Sequence, residues 1–554
     1  MARTREEALR EITLAYMATV NTANPPSPAT IQADILDETI NTFQIENANR
    51  QPGEKWKMPT RLTSAQIADI LMMLYPIVNI AFGGLNADPD YDVLAIYQTS
   101  GPNEGIYTTG TSTFYNLIHE YCYTLSDHDT KDTITMLEHR APRVTRCSDK
   151  NLIAVNNGIF DYDTKQLMPF NKDLVFTSKS KVNYNPNATN VIIHNPDDNT
   201  DWDIESWMDD LFDDPEITNV VWEIIGAIIR PNVPWNKSAW FYSNTGNNGK
   251  GTLCELMRQI TGDGTYASIP LSEFSKDFML EPLLRASAII VDENDVGAFI
   301  DKAANLKAII TNDVIQMNRK FKPPIAYQFK GFMVQCLNEL PKIRDRSDSF
   351  YRRQLFVPFV KCFTGAERKY IKHDYMHRQD VLEYVLHKVL NTNYYTLSEP
   401  AACALALEEY KEFNDPVRQF IDEILPECQW DLVPYAFLYD LYKAWFKATT
   451  PNGTVIGRNT FIGDLNRLLV GNTLFYPIPN GQAIRPRHMM DAAEQLIFTY
   501  HLDAWMNPTY KGTEIDKLCH PELKATYKGI LRYTNGETYE DIMGGEDTQN
   551  DTDF

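Results

Sequence analysis

The stretch Ser238-Ala-Trp-Phe-Tyr-Ser-Asn-Thr-Gly-Asn-Asn-Gly-Lys-Gly-Thr-Leu-Cys-Glu-Leu-Met-Arg258 constrains the fold more than any other. An apolar run, Ala239 to Tyr242, leads into a loop rich in Gly and Asn. The loop opens an amphipathic helical pattern with Leu253, Leu256, Met257 and Ile260 on one face. Strand, glycine loop and helix in this order form the setting of a phosphate loop. Backbone N–H groups converge on the anion, the helix N-terminus adds its dipole, and a lysine reaches the β- and γ-phosphates. Asn244, Thr245, Gly246, Asn247, Asn248, Gly249, Lys250, Gly251 and Thr252 are therefore the expected nucleotide contacts. The pattern departs from G-x-x-x-x-G-K-S/T twice. Asn244 takes the first glycine position, where Asn can adopt a left-handed turn. Gly251 takes the hydroxyl position, which moves the magnesium-facing hydroxyl to Thr252.

Such a loop needs an acidic partner on a neighbouring strand. Ala288-Ile-Ile-Val-Asp-Glu supplies one: four apolar residues, then Asp292, expected to hold Mg2+, and Glu293, expected to polarise the attacking water. A third apolar run, Phe332-Met-Val-Gln-Cys-Leu, ends in Asn338, whose amide would orient that water or sense the γ-phosphate. Three parallel strands ending in these groups would place all the chemistry at the carboxyl edge of one sheet. ATP and Mg2+ are the implied cofactors.

The 554 residues carry 74 Asp and Glu against 52 Lys and Arg, a net charge of −22, which excludes a globally basic nucleic-acid coat. DNA contact then needs a local patch, and residues 316–353 offer one, with nine basic residues against three acidic. Between Lys181 and Arg230 the balance is reversed: eleven acids and no base, interleaved with Trp202, Trp207, Met208, Leu211 and Phe212, read as an amphipathic helix with a solvated acidic face. The eight cysteines are scattered without a C-x-x-C, which suits reduced thiols in a cytoplasm. No apolar run approaches the length of a membrane span and no apolar signal core follows the N-terminus.

In this order the motifs resemble those of a superfamily 3 helicase of the poxvirus and phage/plasmid primase-helicase type. Gly246 to Thr252 is similar to the Walker A motif of that family, Val291-Asp-Glu293 to its Walker B, and Leu337-Asn-Glu-Leu-Pro341 to its sensor motif. Ile310-Thr-Asn-Asp followed by Met317 to Lys322 resembles its DNA-touching β-hairpin, and Ser349 to Phe359 the segment that presents a trans arginine. Asn157-Gly-Ile-Phe-Asp-Tyr-Asp-Thr resembles a hairpin of its accessory domain. Val417-Arg-Gln-Phe-Ile, Tyr435 to Lys443 and Arg458 to Arg467 resemble its C-terminal winged helix.

The resemblance implies an α/β multidomain chain: an AAA+-like P-loop ATPase core with a parallel sheet, an α+β N-terminal accessory domain and a C-terminal winged helix. The expected divisions are a helical region 1–85, accessory domain 86–200, ATPase core 201–365, helical connector 366–414, winged helix 415–535 and a disordered acidic tail 536–554. The activity implied is that of an ATP-dependent replicative DNA helicase of a phage or mobile element. It would act as a ring, hexameric in the family, that draws single-stranded DNA through its centre in a host cytoplasm beside a separate primase. Arg353, with Arg352 and Arg344 close behind, would reach a γ-phosphate in the next subunit. Arg319, Lys320 and Lys322 would grip strand phosphates, and Arg458 and Arg467 would approach duplex DNA.

Two rival functions share these motifs. A non-unwinding initiator or loader needs the same site. A nucleotide kinase shares the Gly-Lys-Gly-Thr loop ending but is compact, whereas this chain is long. Asp88-Pro-Asp90 has the acid spacing of a primase site, but its proline argues against a strand there. His373 and His377, at i and i+4, lack a third metal ligand.

Overall fold

The computed structural model describes residues 3–533, apart from 296, 298, 301, 321, 346, 366–367 and 450–454. The acidic tail expected at 536–554 lies outside the described residues. The chain divides into two compact units, Met1–Leu407 and Glu408–Phe554.

The first unit opens with helices Arg5–Met17, Pro28–Ala48 and Ser64–Leu74. Thr4 with Glu7, and Thr63 with Gln66, form reciprocal capping boxes that satisfy N-terminal donors of the first and third. The middle helix buries only a narrow stripe, Ile31, Ile35, Thr39, Phe43 and Asn47. A four-stranded sheet follows, with Ile77–Ile80 antiparallel to Val93–Tyr97 and parallel to Arg143–Val144. Asp88-Pro-Asp90 lies in a short 3-10 turn at Pro89–Tyr91, not in a strand. Leu152–Val155 and Gly158–Asp161 then form the hairpin that the Asn156-Asn157-Gly158 turn announces.

The acidic segment folds as two helices, Ile204–Leu211 and Pro215–Ile229, capped by Asp203 and Asp214. The second is buried nearly all round from Ile224 to Ile229, so a solvated face is confined to the segment's first half. Five strands follow: β1 (Ser238–Tyr242), β2 (Tyr266–Ala267), β3 (Ala288–Val291), β4 (Phe332–Leu337) and β5 (Gln354–Pro358). They form one sheet in the order β2-β3-β4-β1-β5, parallel throughout. The continuous burial of β3 and β4 is that of a parallel sheet covered on both faces. Helices Pro215–Ile229, Lys250–Thr261 and Gln379–Leu390 share its core with Phe241, Ile290, Val334 and Leu355.

Arg230, at the end of the Pro215–Ile229 helix, has no exposed surface. Its guanidinium lies 3.5 Å from the Tyr162 ring centroid and 5.2 Å from that of Trp235, and donates to the Tyr394 carbonyl at 2.8 Å. Burial pushes its pKa down. One cation thus ties the accessory hairpin to the strand lead-in and to the 394–395 segment. Arg230→Ala should cost about 3 kcal/mol through the cavity and the lost ring contacts. A urea unfolding midpoint checks this, and an unchanged midpoint contradicts it.

The second unit runs helix Pro416–Ile424, strand Leu432–Pro434, helices Tyr435–Thr449 and Arg458–Leu468, then strands Phe475–Pro477 and Gly529–Arg532. Gly529–Arg532 is the central strand of the antiparallel sheet. Trp430, Phe437, Leu441, Tyr442, Phe461 and Ile530 build a separate core. The aromatic side chains that follow Tyr435 serve packing: Phe437 is fully buried and the Tyr439 hydroxyl donates to the Ile456 carbonyl. Among the described residues no helix is long and apolar enough to cross a membrane.

Candidate nucleotide site

β1 delivers the chain to a loop, 243–249, that ends at the first turn of the Lys250–Thr261 helix. Two residues there have left-handed backbones, Asn247 (φ 53°) and Gly249 (φ 85°). Asn244, expected in that conformation, is not among the positive-φ residues; the turn is made three residues later. Gly249 is required twice over, because a Cβ there would also lie 2.5 Å from Leu211 Cδ2. Buried Asn248 braces the loop from inside: its Nδ2 donates to the Thr245 carbonyl at 2.5 Å and its Oδ1 accepts from the Lys250 amide at 3.4 Å. From outside, the Phe363 amide donates to the Asn247 carbonyl at 2.8 Å.

Lys250 is 4% exposed, and its Nζ has no hydrogen-bond partner. Burial pushes its pKa down, with the Asp292 carboxylate acting the other way. A buried, orphaned ammonium is costly and fits a site shaped for an anion.

β3 carries Asp292 to the same place. A Cβ built on Gly251 would lie 3.2 Å from Asp292 Oδ1, and Asp292 Oδ2 stands 3.8 Å from Lys372 Nζ and 3.9 Å from Arg258 Nη1. Glu293 is exposed and Thr252 half-buried. Asn294, which the sequence reading passed over, locks this strand end. Its Oδ1 accepts from the Leu271 amide at 2.9 Å, and its Nδ2 donates to Gln335 Oε1 and the Cys336 carbonyl, both at 3.0 Å. The Ser243 amide donates to the Leu337 carbonyl at 3.1 Å, so exposed Asn338 follows directly from the residue tied to the loop.

A cleft of about 420 Å³ opens beside the loop, lined by Trp207, Leu211, Gly249, Thr252, Phe363 and Lys372 among others. Its apolar wall comes from the acidic segment, and Lys372 from the short helix Lys369–His373. No local motif marks either. His373 also lines this cleft, whereas His377 Nε2 lies 3.3 Å from Glu255 Oε1.

Arg353 and Arg319 are placed differently from expectation. Arg353 Nη1 donates to both oxygens of Ser349, to Oγ at 2.8 Å, which turns Arg353 onto its own chain, whereas Arg352 and Arg344 are exposed. The hairpin forms from Val314–Arg319 and Lys322–Gln328. Arg319 is 7% exposed and its Nε donates to the Pro323 carbonyl at 3.0 Å, so it braces the hairpin tip instead of presenting its charge. Lys320 is exposed at that tip, and the Lys322 side chain lies outside the described residues. Arg146 holds the hairpin base, donating to the Gln328 carbonyl at 2.8 Å and lying over the Phe82 and Tyr327 rings. In the second unit Arg458 and Arg467 are exposed at opposite ends of one helix, and Arg467 pairs with Asp464 at 3.2 Å.

Three segments of the chain match known families. Residues 119–213 match the family described as D5 N terminal like, and 412–472 the Poxvirus D5 protein-like family. Residues 241–353, which hold the loop and all three strand ends, match a family of unknown function, DUF5906. In these segments the chain resembles proteins of the phage and poxvirus primase-helicase type. More narrowly, a protein of Acanthamoeba polyphaga mimivirus named "Putative helicase" is 26% identical over 247 residues, 42% of this chain and 23% of that protein. The chain thus spans less than a quarter of that relative. Two apo structures of the NrS-1 C-terminal region align with TM-scores of 0.39 and 0.40, at 13% and 11% identity; they cover 75% and 85% of this chain and 87% and 100% of theirs.

Proposed function

We propose that this chain is an ATP-dependent replicative DNA helicase of superfamily 3, a ring motor that translocates on single-stranded DNA. The observation that carries the reading is the unpartnered, buried Nζ of Lys250 at a helix start, beside Asp292 on the carboxyl edge of a parallel sheet. The strand order, read from the other edge as β5-β1-β4-β3-β2, with the loop after β1 and the acids after β3, suits an AAA+-like P-loop core. Bound ATP with Mg2+ would supply the cleavable γ-phosphoryl group and the neutralising charge. Lys250 would hold the β- and γ-phosphates, and Thr252 and Asp292 the metal. Glu293 would accept the proton of the attacking water and Asn338 would orient it. Arg352, exposed where Arg353 is turned inward, is the better candidate for a trans arginine in a ring, hexameric in the family.

The order helix–strand–helix–helix–strand–strand in the second unit supports a winged helix, with Arg458–Leu468 as its recognition helix. Arg458→Ala with Arg467→Ala in the full chain should weaken duplex binding about tenfold and lower the salt slope by about two, since each cation lost releases one counterion fewer. Unchanged binding and slope would make this unit a protein-docking module instead. Lys320 at the hairpin tip would serve the single strand, and a separate primase is a fitting partner in a host cytoplasm.

Strand displacement on a forked duplex with ATP, beside a Lys250→Ala control, tests the whole reading. ATP-dependent displacement that the control lacks supports it. DNA-stimulated hydrolysis without displacement would point to an initiator or loader. Hydrolysis indifferent to single-stranded DNA would point to a nucleotide kinase.

A further inference from the structure

Gly251 is the puzzling residue of the loop. It lies in the first turn of a helix and is absent from the positive-φ residues, so its backbone does not call for glycine. Glycine in a helix is less favourable than alanine, and at this position it also removes a useful hydroxyl. The space beside it gives the reason. A Cβ on residue 251 would lie 3.2 Å from Asp292 Oδ1, 3.4 Å from Asp292 Oδ2 and 3.2 Å from Lys372 Nζ. An ammonium from another element therefore stands where a side chain at 251 would begin.

That ammonium is not committed to its neighbour. Lys372 Nζ and Asp292 Oδ2 are 3.8 Å apart, beyond hydrogen-bond distance, with the two side chains 35% and 29% exposed. A partly exposed pair of this geometry contributes little to stability. Asp292 also has Arg258 at 3.9 Å and Lys250 nearby without a partner. Three cations thus lie around one carboxylate, Arg258 being also 3.8 Å from Glu255, and Arg368, Lys369 and His373 line the adjoining cleft beside Asp210, with Arg368 3.9 Å from Asp198. Such a surplus in a concave site calls for a polyanion. The position of Lys372 is fixed from below, because Ile371 beside it is packed into the sheet core.

We propose that Lys372 is a nucleotide-phosphate ligand supplied in cis, exchanging its loose contact with Asp292 for phosphate oxygens and taking the space that Gly251 leaves open. This rests on reading residues 244–252 as a triphosphate loop. Its substrate class is a nucleoside di- or triphosphate: the contact is to phosphate, so adenosine alone should be indifferent to Lys372.

The test is equilibrium binding of a fluorescent ATP analogue to the full chain, with competition by ATP and by adenosine. A lost charge-assisted contact should weaken ATP binding roughly tenfold or more in Lys372→Ala, and further in Lys372→Glu, while adenosine binding stays within about twofold. Lys372→Ala should melt at the wild-type temperature without nucleotide, which separates a lost contact from a lost fold. Gly251→Ser should weaken binding in the wild-type background and do so less beside Lys372→Ala, where the space is vacated; this coupling identifies the pair as neighbours. Wild-type ATP affinity in Lys372→Ala, or an equal loss for ATP and adenosine, would overturn the assignment while leaving the loop intact. A wild-type chain that binds no nucleotide, or binds it undiminished in Lys250→Ala, would instead overturn the loop reading, and Lys372 with it.

Discussion

Lys250→Ala should abolish ATP hydrolysis without unfolding the chain. The two halves of this result come from one observation, a side chain 4% exposed whose Nζ has no partner. With a triphosphate in the loop, the ammonium would make charge-assisted contacts that strengthen as charge develops on the transferring group. Removing a preorganised donor of this kind costs about 3–4 kcal/mol, or roughly a hundred- to a thousandfold in kcat/KM. Without nucleotide the same ammonium is a buried charge with nothing to satisfy it. Its removal should therefore leave the nucleotide-free chain as stable as before, or raise stability by about 1 kcal/mol. Steady-state hydrolysis and a thermal melt check the two parts separately. Retained hydrolysis would remove Lys250 from the chemistry, and a collapsed melting temperature would make it a structural residue.

Glu293→Gln should give the complementary result, nucleotide binding kept and turnover lost. Glu293 follows β3 directly after Asp292 and is exposed, so the substitution leaves no buried group unsatisfied and the fold should not register it. The amide cannot take a proton from water, and loss of a positioned general base costs roughly a hundred- to ten-thousandfold. The affinity for a fluorescent ATP analogue should change less than about threefold, because in the proposed role the glutamate would act on water and would not grip phosphate. Turnover within tenfold of wild type would move the base elsewhere, with Asp292 the first alternative. Weakened binding would instead make Glu293 part of the metal site.

Much of the core was legible because its signals are local. A parallel strand covered on both faces reads as an unbroken apolar run, and β1, β3 and β4 each end within a residue of where the run ends. The loop carries its own turn chemistry, although the left-handed residue is Asn247 and not Asn244. What the sequence withheld depends on contacts across the chain. Asn294 resembles any turn residue until Gln335 and Cys336 are paired beside it. Arg258 and Lys372 sit on helices whose faces meet only when the 369–373 segment packs on the 250–261 helix. Trp207 and Leu211 lie in an acidic stretch whose charge hides the cleft they line. Pro28–Ala48 buries one residue in four along a single stripe, too thin a signal for an apolar face. Arg319 shows the converse error, a basic residue in a basic stretch whose guanidinium is spent on a carbonyl four residues away.

In the proposed motor one nucleoside triphosphate would be shared by the loop and by the ends of β3 and β4. A crystal structure with a non-hydrolysable ATP analogue and Mg2+ tests it most directly. Phosphate density is expected at the N-terminus of the Lys250–Thr261 helix, with Lys250 Nζ about 3 Å from its oxygens and Asp292, Glu293 and Asn338 around the terminal phosphate. An analogue bound elsewhere, with Lys250 still enclosed beside Cys254 and Cys336, would contradict it.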